Sequence, residues 1–282
     1  MYPSPFTYHR PASVEAAVAL LAEFGDDAAP YAGGTELLLA MKMGFAQYDH
    51  LIDLKRLPTL RTIANEGEFL SIGALATHAE IAADPTVRHL LPPLAALCGE
   101  VANPRVRSSG TIGGNLCFAE PRADPPALLA GLDATLILRS TSGERAVPAA
   151  SFITGALETV RAADELLVRI DILLSERRVR YERIVFGHRT VAGAVAALGA
   201  PGQPERIWVG GVATCPAPLP LTQSLLDAEP GAADARLHDA VTQDIAALDI
   251  ADDEEASADY RRHLAATVAL RAIAGCREEL QR

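Results

Sequence analysis

The sequence predicts a mixed chain of helix and sheet, α+β in overall class, on three observations. Within the first 55 residues a helix, a strand, a glycine turn, a helix and a strand follow one another. From Thr62 to Leu174 the pattern changes to paired strands and short helices. Beyond the charged cluster "SERRVR" (175–180), three strand-like runs precede two helices. A chain of 282 residues exceeds the roughly 100–200 of one typical domain. The pattern divides it into units at 1–55, 56–175 and 176–282.

Taken in order, Ser13 is placed to cap a helix running to about Phe24, with Val14, Val18 and Leu21 on one face and Gly25 at its end. A short strand runs into "YAGGTE" (31–36), and "LLLAMKMG" then reads as a packed helix stopped by Gly44. "HLIDL" is a buried strand. "TIANEGEFLSIG" suggests two strands about a turn at Asn65–Gly67, and Thr77 with Glu80 spells a capping box. A helix is expected from about Pro93 to Val101, another in "DPPALLAGLDA" with Asp124 as a good N-cap, and a strand in "ATLILRS". The last unit offers strands in "RYERIVF", "AGAVAALG" and "RIWVGGVATC", then helices near 233–248 and 257–279. The final helix carries Tyr260, Leu264, Val268 and Ala272 on one face, leaving Arg261 and Arg262 outside. "ADDEE" reads as a solvated helix start.

Composition excludes several classes. Hydrophobic residues at 49% and charged residues at 22% describe an ordinary globular chain rather than a disordered or fibrous one. No apolar run reaches the roughly 18 residues of a membrane span, and "MYPSPFTYHR" lacks the order of a signal peptide, so a cytoplasmic location is expected. A net charge of −11 argues against nucleic acid as a partner. The four cysteines stand far apart, without a spacing that would build a zinc site or cluster, so they read as buried thiols.

What remains is a pair of glycine segments, "YAGGTE" and "GTIGGNLCFAEPRAD" (110–124). Glycine lets another molecule approach the backbone, and successive N–H groups can form an anion-binding nest. Either segment alone is equally a tight turn between strand and helix. Neither matches the usual dinucleotide or nucleoside triphosphate loop. Their neighbours nonetheless supply hydroxyl and amide groups suited to phosphate, in Thr35, Thr111 and Asn115, and Asp124 can accept from sugar hydroxyls.

Together, "YAGGTELLLAMKMG", "GTIGGNLCFAEPRADPPALLAGLDA" and "SADYRRHLA" resemble, in order and over nearly the whole chain, the FAD-binding medium subunit of molybdenum hydroxylases, the family of carbon monoxide and xanthine dehydrogenases. The resemblance implies a two-subdomain FAD-binding domain of the vanillyl-alcohol-oxidase or PCMH-like kind, followed by a C-terminal domain of three-stranded sheet plus helices. It implies that Ala29, Pro30, Tyr31, Ala32, Gly33, Gly34, Thr35 and Glu36 wrap the pyrophosphate of a noncovalent FAD, and that Thr111, Ile112, Gly113, Gly114 and Asn115 face it. Asp124 would hold a hydroxyl of the flavin chain or ribose, and Leu167 in "ELLVRIDI" would lie near the isoalloxazine. Arg183 stands where relatives often carry lysine, which is not a neutral exchange. "FAEPRAD" departs from the commoner small-residue loop, so Glu120 and Arg122 put the flavin surroundings there in doubt.

The implied partners are a small subunit with [2Fe-2S] clusters and a large molybdopterin subunit, forming a heterotrimer doubled to a heterohexamer. Electrons would pass from the cluster through FAD to an acceptor that is NAD, a quinone, a cytochrome or oxygen, with no catalytic acid or base needed here. Two other readings stay open: a stand-alone flavin oxidase or reductase of the same fold, and a non-enzymatic binding or maturation protein. Cys117 is the candidate for covalent flavin attachment, while His78 and His188 read as surface or capping residues.

Overall fold

The computed structural model describes residues 3–187, 189–253 and 255–281, so the reading of His188 lies outside the described residues. Two compact units result: residues 1–119 with 135–172, and residues 120–134 with 173–282.

The first unit opens with β1 (Thr7–His9), α1 (Val14–Phe24), β2 (Ala28–Tyr31), α2 (Leu37–Met43) and β3 (His50–Asp53). The strands form a parallel sheet in the order β1-β3-β2. Helix α1 begins where the Ser13 hydroxyl accepts from the Ala16 N–H, and it ends at Gly25 with φ +53°. It buries Ala17, Val18 and Leu21. Gly44 closes α2 at φ +80°. Met41 packs inward as expected of this helix, whereas Leu39 and Met43 are exposed.

The chain continues through β4 (Ile63–Asn65), β5 (Phe69–Gly73) and the short helices α3 (His78–Ala83), α4 (Pro85–Leu90), α5 (Pro92–Glu100), α6 (Pro104–Ser109) and α7 (Ile112–Phe118). Thr77 and Glu80 make both arms of the capping box of α3. Helices α4 and α6 escape the sequence reading because each has only six residues, too few to show a period. Helix α7 contains the Gly113-Gly114 pair, so the second glycine segment is a helix start rather than an open turn. Thr111 caps it by accepting from the Gly114 N–H.

After α8 (Asp124–Gly131), which belongs to the second unit, come β6 (Thr135–Ser140), β7 (Gly143–Pro148), β8 (Ile153–Gly155), β9 (Glu158–Thr159) and β10 (Leu166–Leu173). The larger sheet of the first unit has the order β4-β5-β10-β6-β7.

The second unit is built on an antiparallel sheet of β11 (Arg178–Phe186), β12 (Arg189–Leu198), β13 (Arg206–Gly210) and the two-residue β14 (Ala217–Pro218). Helices α9 (Pro220–Ala228), α10 (Asp234–Ala246) and α11 (Ala258–Leu280) follow. The sheet thus has one short strand more than the expected three, and α9 is an added helix. Strand β12 is covered on both faces, which is why "VAGAVAAL" reads as an unbroken apolar run. Ala192, Ala194 and Ala196 join a core with Leu264, Val268 and Ala272 of α11. A Cβ added to Gly131 of α8 would lie 2.4 Å from Val195, and one added to Gly210 would lie 2.8 Å from Ala127, so α8 packs tightly on this sheet. That packing assigns residues 120–134 to the second unit, although local pattern gave no reason to separate them from their neighbours.

The face expected of α11 is buried at Leu264, Val268 and Ala272, but its first buried position is Arg261 rather than Tyr260. Arg261 is 3% exposed, while Tyr260 is 46% exposed and stacks loosely with Phe186. Burial of Arg261 is compensated by Asp253, with which it is paired, and by the Gly211 carbonyl. Asp253 also pairs with Arg122, which contacts Glu255 at 2.6 Å, so "ADDEE" is no solvated helix start. The two arginines hold the Asp253 carboxyl well below the usual carboxylate range, Arg261 foremost.

Candidate functional site

The glycine segments meet in the first unit. Strand β2 carries Ala29, Pro30 and Tyr31, and the turn from Ala32 to Glu36 links it to α2. Gly34 has φ +71°, and a Cβ there would lie 2.4 Å from the Tyr31 ring. Gly33 answers a different demand: its Cβ would lie 2.0 Å from the carbonyl oxygen of Ser109. Gly110 in turn lies against both the Thr35 hydroxyl and the His78 ring, each 3.5 Å from where its Cβ would be. The first turn is therefore in direct contact with the backbone leading into the second.

That second segment is pinned from the other side. The Gly110 carbonyl accepts from the His78 N–H at 3.1 Å, the Ile112 N–H donates to Ala76 at 3.0 Å, and the Gly113 N–H donates to Ala74 at 2.9 Å. A Cβ on Gly113 would meet Ala74 at 2.6 Å. So Gly33 and Gly113 are bare because backbone crosses backbone, and the amides of Gly113, Gly114 and Asn115 are spent inside the protein.

The first turn differs in this respect. Among the described residues, the backbone N–H groups of Ala32, Gly33, Gly34 and Thr35 make no hydrogen bond. Four successive amides without partners beside a hydroxyl form the kind of nest that accepts an anion. Two buried side-chain atoms at the same junction also lack partners, Oδ1 of Asn115 and Nδ1 of His78. Polar atoms left this way cost stability unless a ligand or water meets them.

Beside the first turn, Lys55 lies 3.4 Å above the centre of the Tyr31 ring and 2.7 Å from Asp53. Asp53 also accepts from the Tyr8 hydroxyl at 2.5 Å. Burial works to raise the Asp53 carboxyl, but the Lys55 and Tyr8 contacts outweigh it and hold the group below its ordinary value. Sequence pattern gave no hint of this cluster, since positions 8, 31, 53 and 55 carry no common motif.

His78 corrects the expectation of a surface role. Its backbone follows the Thr77 cap, yet the residue is 2% exposed, and burial, with the Arg107 charge second, lowers its pKa to about 4. Cys117 is likewise a protected group, its thiol pushed up to about 11 by burial, with Arg161 acting weakly the other way. Leu167 sits in β10 opposite Leu138, buried in the sheet.

Asp124 and Arg183 belong to the second unit, where they meet each other. One Asp124 oxygen accepts from the Tyr181 hydroxyl at 2.7 Å and the other from Arg183 at 2.5 Å. Asp124 is the first residue of α8, not its cap, and its side chain makes no capping bond. The partly buried Tyr181 phenol is raised well above its usual value by burial and then by the Asp124 charge.

Comparison with known proteins gives a consistent picture. Residues 4–172 match the family described as the FAD binding domain in molybdopterin dehydrogenase. The carbon monoxide dehydrogenase medium chain of Hydrogenophaga pseudoflava is 42% identical over 172 residues, 61% of this chain and 60% of that one. The chain thus spans less than two thirds of that relative in the alignment. The caffeine dehydrogenase subunit beta of Pseudomonas sp. (strain CBB1) is 31% identical over 97% of this chain and 95% of its own length. Among solved structures, a chain of the H. pseudoflava carbon monoxide dehydrogenase lacking the Mo-pyranopterin moiety superposes with a TM-score of 0.92 at 34% identity, covering 98% of both chains.

Proposed function

The chain belongs to the family of FAD-binding domains of molybdopterin dehydrogenases, and from that membership we propose that it holds one FAD noncovalently as the electron-transfer subunit of a molybdenum hydroxylase. The observation that carries the reading is the junction of the two glycine segments, where four unpaired amides and the Thr35 hydroxyl lie against the backbone leading into the second segment. That donor set fits the oxygens of a dinucleotide diphosphate.

When bound, FAD takes up electrons singly and passes them on singly or in pairs, a chemistry that side chains do not supply. The work of this chain is binding and orientation. The turn from Ala32 to Thr35 presents N–H groups to the diphosphate, and Thr111 fixes the start of α7, the helix that carries Asn115. Burial that pushes the Cys117 thiol up to about 11 leaves little thiolate at neutral pH, which favours a noncovalent FAD.

In this reading residues 1–55 and 56–175 act as the two FAD-binding subdomains of the vanillyl-alcohol-oxidase or PCMH-like kind, and residues 176–282 as the C-terminal domain. Asp124, Leu167 and Arg183 are assigned to the surroundings of the flavin. A [2Fe-2S] cluster on a small partner would supply the electrons and molybdopterin on a large one would supply the oxidation of substrate, in a heterotrimer doubled to a heterohexamer. No helix of the described residues is long and apolar enough to cross a membrane, and a cytoplasmic location belongs to the same proposal.

The test is titration of the full chain with FAD beside Gly34→Val, whose branched side chain meets the Tyr31 ring at a residue of positive φ. One FAD per chain with a yellow product, and loss of binding in a variant that still folds, is the expected result. A folded wild type that stays colourless with FAD refutes the reading.

A further inference from the structure

We infer that His78 is a positioning residue of the nucleotide site, a neutral imidazole whose N–H donates to an oxygen of the FAD diphosphate. The inference rests on the FAD reading above and adds to it a side chain that stands outside both glycine segments.

The geometry begins with the helix cap. Thr77 starts α3, so the next residue is fixed at its first turn, and its N–H is tied to the Gly110 carbonyl. The ring consequently packs on Gly110, where the Thr35 hydroxyl packs too. The residue is almost wholly buried: its Nδ1 is enclosed without a partner, whereas Nε2, next to the Cδ2 that packs on Gly110, is not enclosed and makes no hydrogen bond among the described residues.

The enclosed Nδ1 is closed to any ligand, so Nε2 is the ring nitrogen left to meet a partner, and a buried ring that leaves it unpaired costs stability. A neutral ring offers one donor and one acceptor nitrogen. Burial and the nearby Arg107 keep it neutral at ordinary pH. Its neighbours in the junction, the unpaired amides of Ala32, Gly33, Gly34 and Thr35, are all donors. A group that meets those donors is an oxygen-rich acceptor, and the imidazole N–H extends the same set.

The experiment compares the full-length chain, stripped of FAD, with His78→Leu, His78→Asn and His78→Gln. His78→Leu removes both nitrogens, and the two amides place an N–H near one nitrogen position each. FAD affinity is read by quenching of flavin fluorescence, the apoprotein by its melting temperature, and the wild-type ring by 15N chemical shifts. Expected is a loss of affinity of about tenfold or more in His78→Leu, recovery in one of the two amides, and an apo His78→Leu that melts no lower than the wild type. The wild-type ring resonances should move on addition of FAD. Unchanged affinity in His78→Leu, still ring resonances, or equal loss in all three variants with a lower apo melting temperature overturns the inference and leaves the FAD reading standing. A wild type that binds no FAD ends both.

Discussion

Gly33→Ala is the sharpest test of how the junction is built. The added methyl would lie 2.0 Å from the Ser109 carbonyl oxygen, 2.7 Å from its carbon and 3.0 Å from the Gly110 Cα. Carbon–oxygen contacts normally stop at about 3.3 Å, so the two backbones must separate by more than about 1 Å. The Ser109 side has little freedom, because the flanking Gly110 amide donates to Val106 at 2.6 Å and its carbonyl accepts from His78. Overpacking of this kind costs about 1–3 kcal/mol, and a backbone neighbour that cannot rotate away puts the expected value near the top, at about 3 kcal/mol. Such a shift also displaces the four unpaired amides, so FAD affinity should fall by at least about tenfold. Denaturant unfolding of the apoprotein gives the first quantity and flavin fluorescence the second. Gly231→Ala, at a glycine with nothing within 4 Å and no positive φ, is the control for glycine replacement as such. A Gly33→Ala chain as stable as the wild type, with undiminished FAD affinity, would refute the argued contact.

Other outcomes follow from single groups. The His78 pKa of about 4 lies below the ordinary histidine value of 6.5, so between these values the unfolded chain binds a proton that the folded chain excludes. The contribution to stability is complete above about pH 6.5 and lost as pH falls toward 4. The loss over that range amounts to about 3 kcal/mol, and it should be absent from the pH dependence of stability of His78→Leu. Cys117 should resist alkylation at pH 8, and acid precipitation of the holoprotein should leave its flavin in the supernatant; a yellow pellet would contradict the noncovalent site. Asp253→Ala should lower the melting temperature by several degrees, because it leaves the buried Arg261 without its carboxylate; an unchanged value would mean that Gly211 and solvent suffice.

Much of this was legible in the sequence where a local rule and the tertiary structure agree. Ser13 and Gly25 bound α1, Thr77 and Glu80 start α3, and the alternation of the first 55 residues gives the parallel sheet. Legibility fails where a partner distant in sequence decides the outcome. Gly113-Gly114 looks like a turn because glycine disfavours helix, yet the Thr111 cap and the close packing on Ala74 hold it helical. Arg261 occupies a core position of α11 that a charge conceals until Asp253 is seen beside it. Asp124 before two prolines reads as a cap, but its oxygens are claimed by Tyr181 and Arg183, 57 and 59 positions away. The missing partner of His78 leaves no trace in local pattern at all.

The last question is how a chain of net charge −11 binds a dianionic diphosphate. The cations beside the junction are already committed: Lys55 to Asp53, and Arg107 to the carbonyls of Val101 and Ala102. What remains on offer is neutral, four amides, a hydroxyl and an imidazole kept uncharged by burial. Attraction by fixed dipoles at contact distance releases few counterions and is screened far less than attraction between exposed charges. FAD affinity should therefore change little between about 0.05 and 0.5 M salt. A site resting on mobile lysines and arginines would weaken steadily over that range, and a steep salt dependence of FAD binding would show that side-chain charge, not the glycine junction, holds the nucleotide.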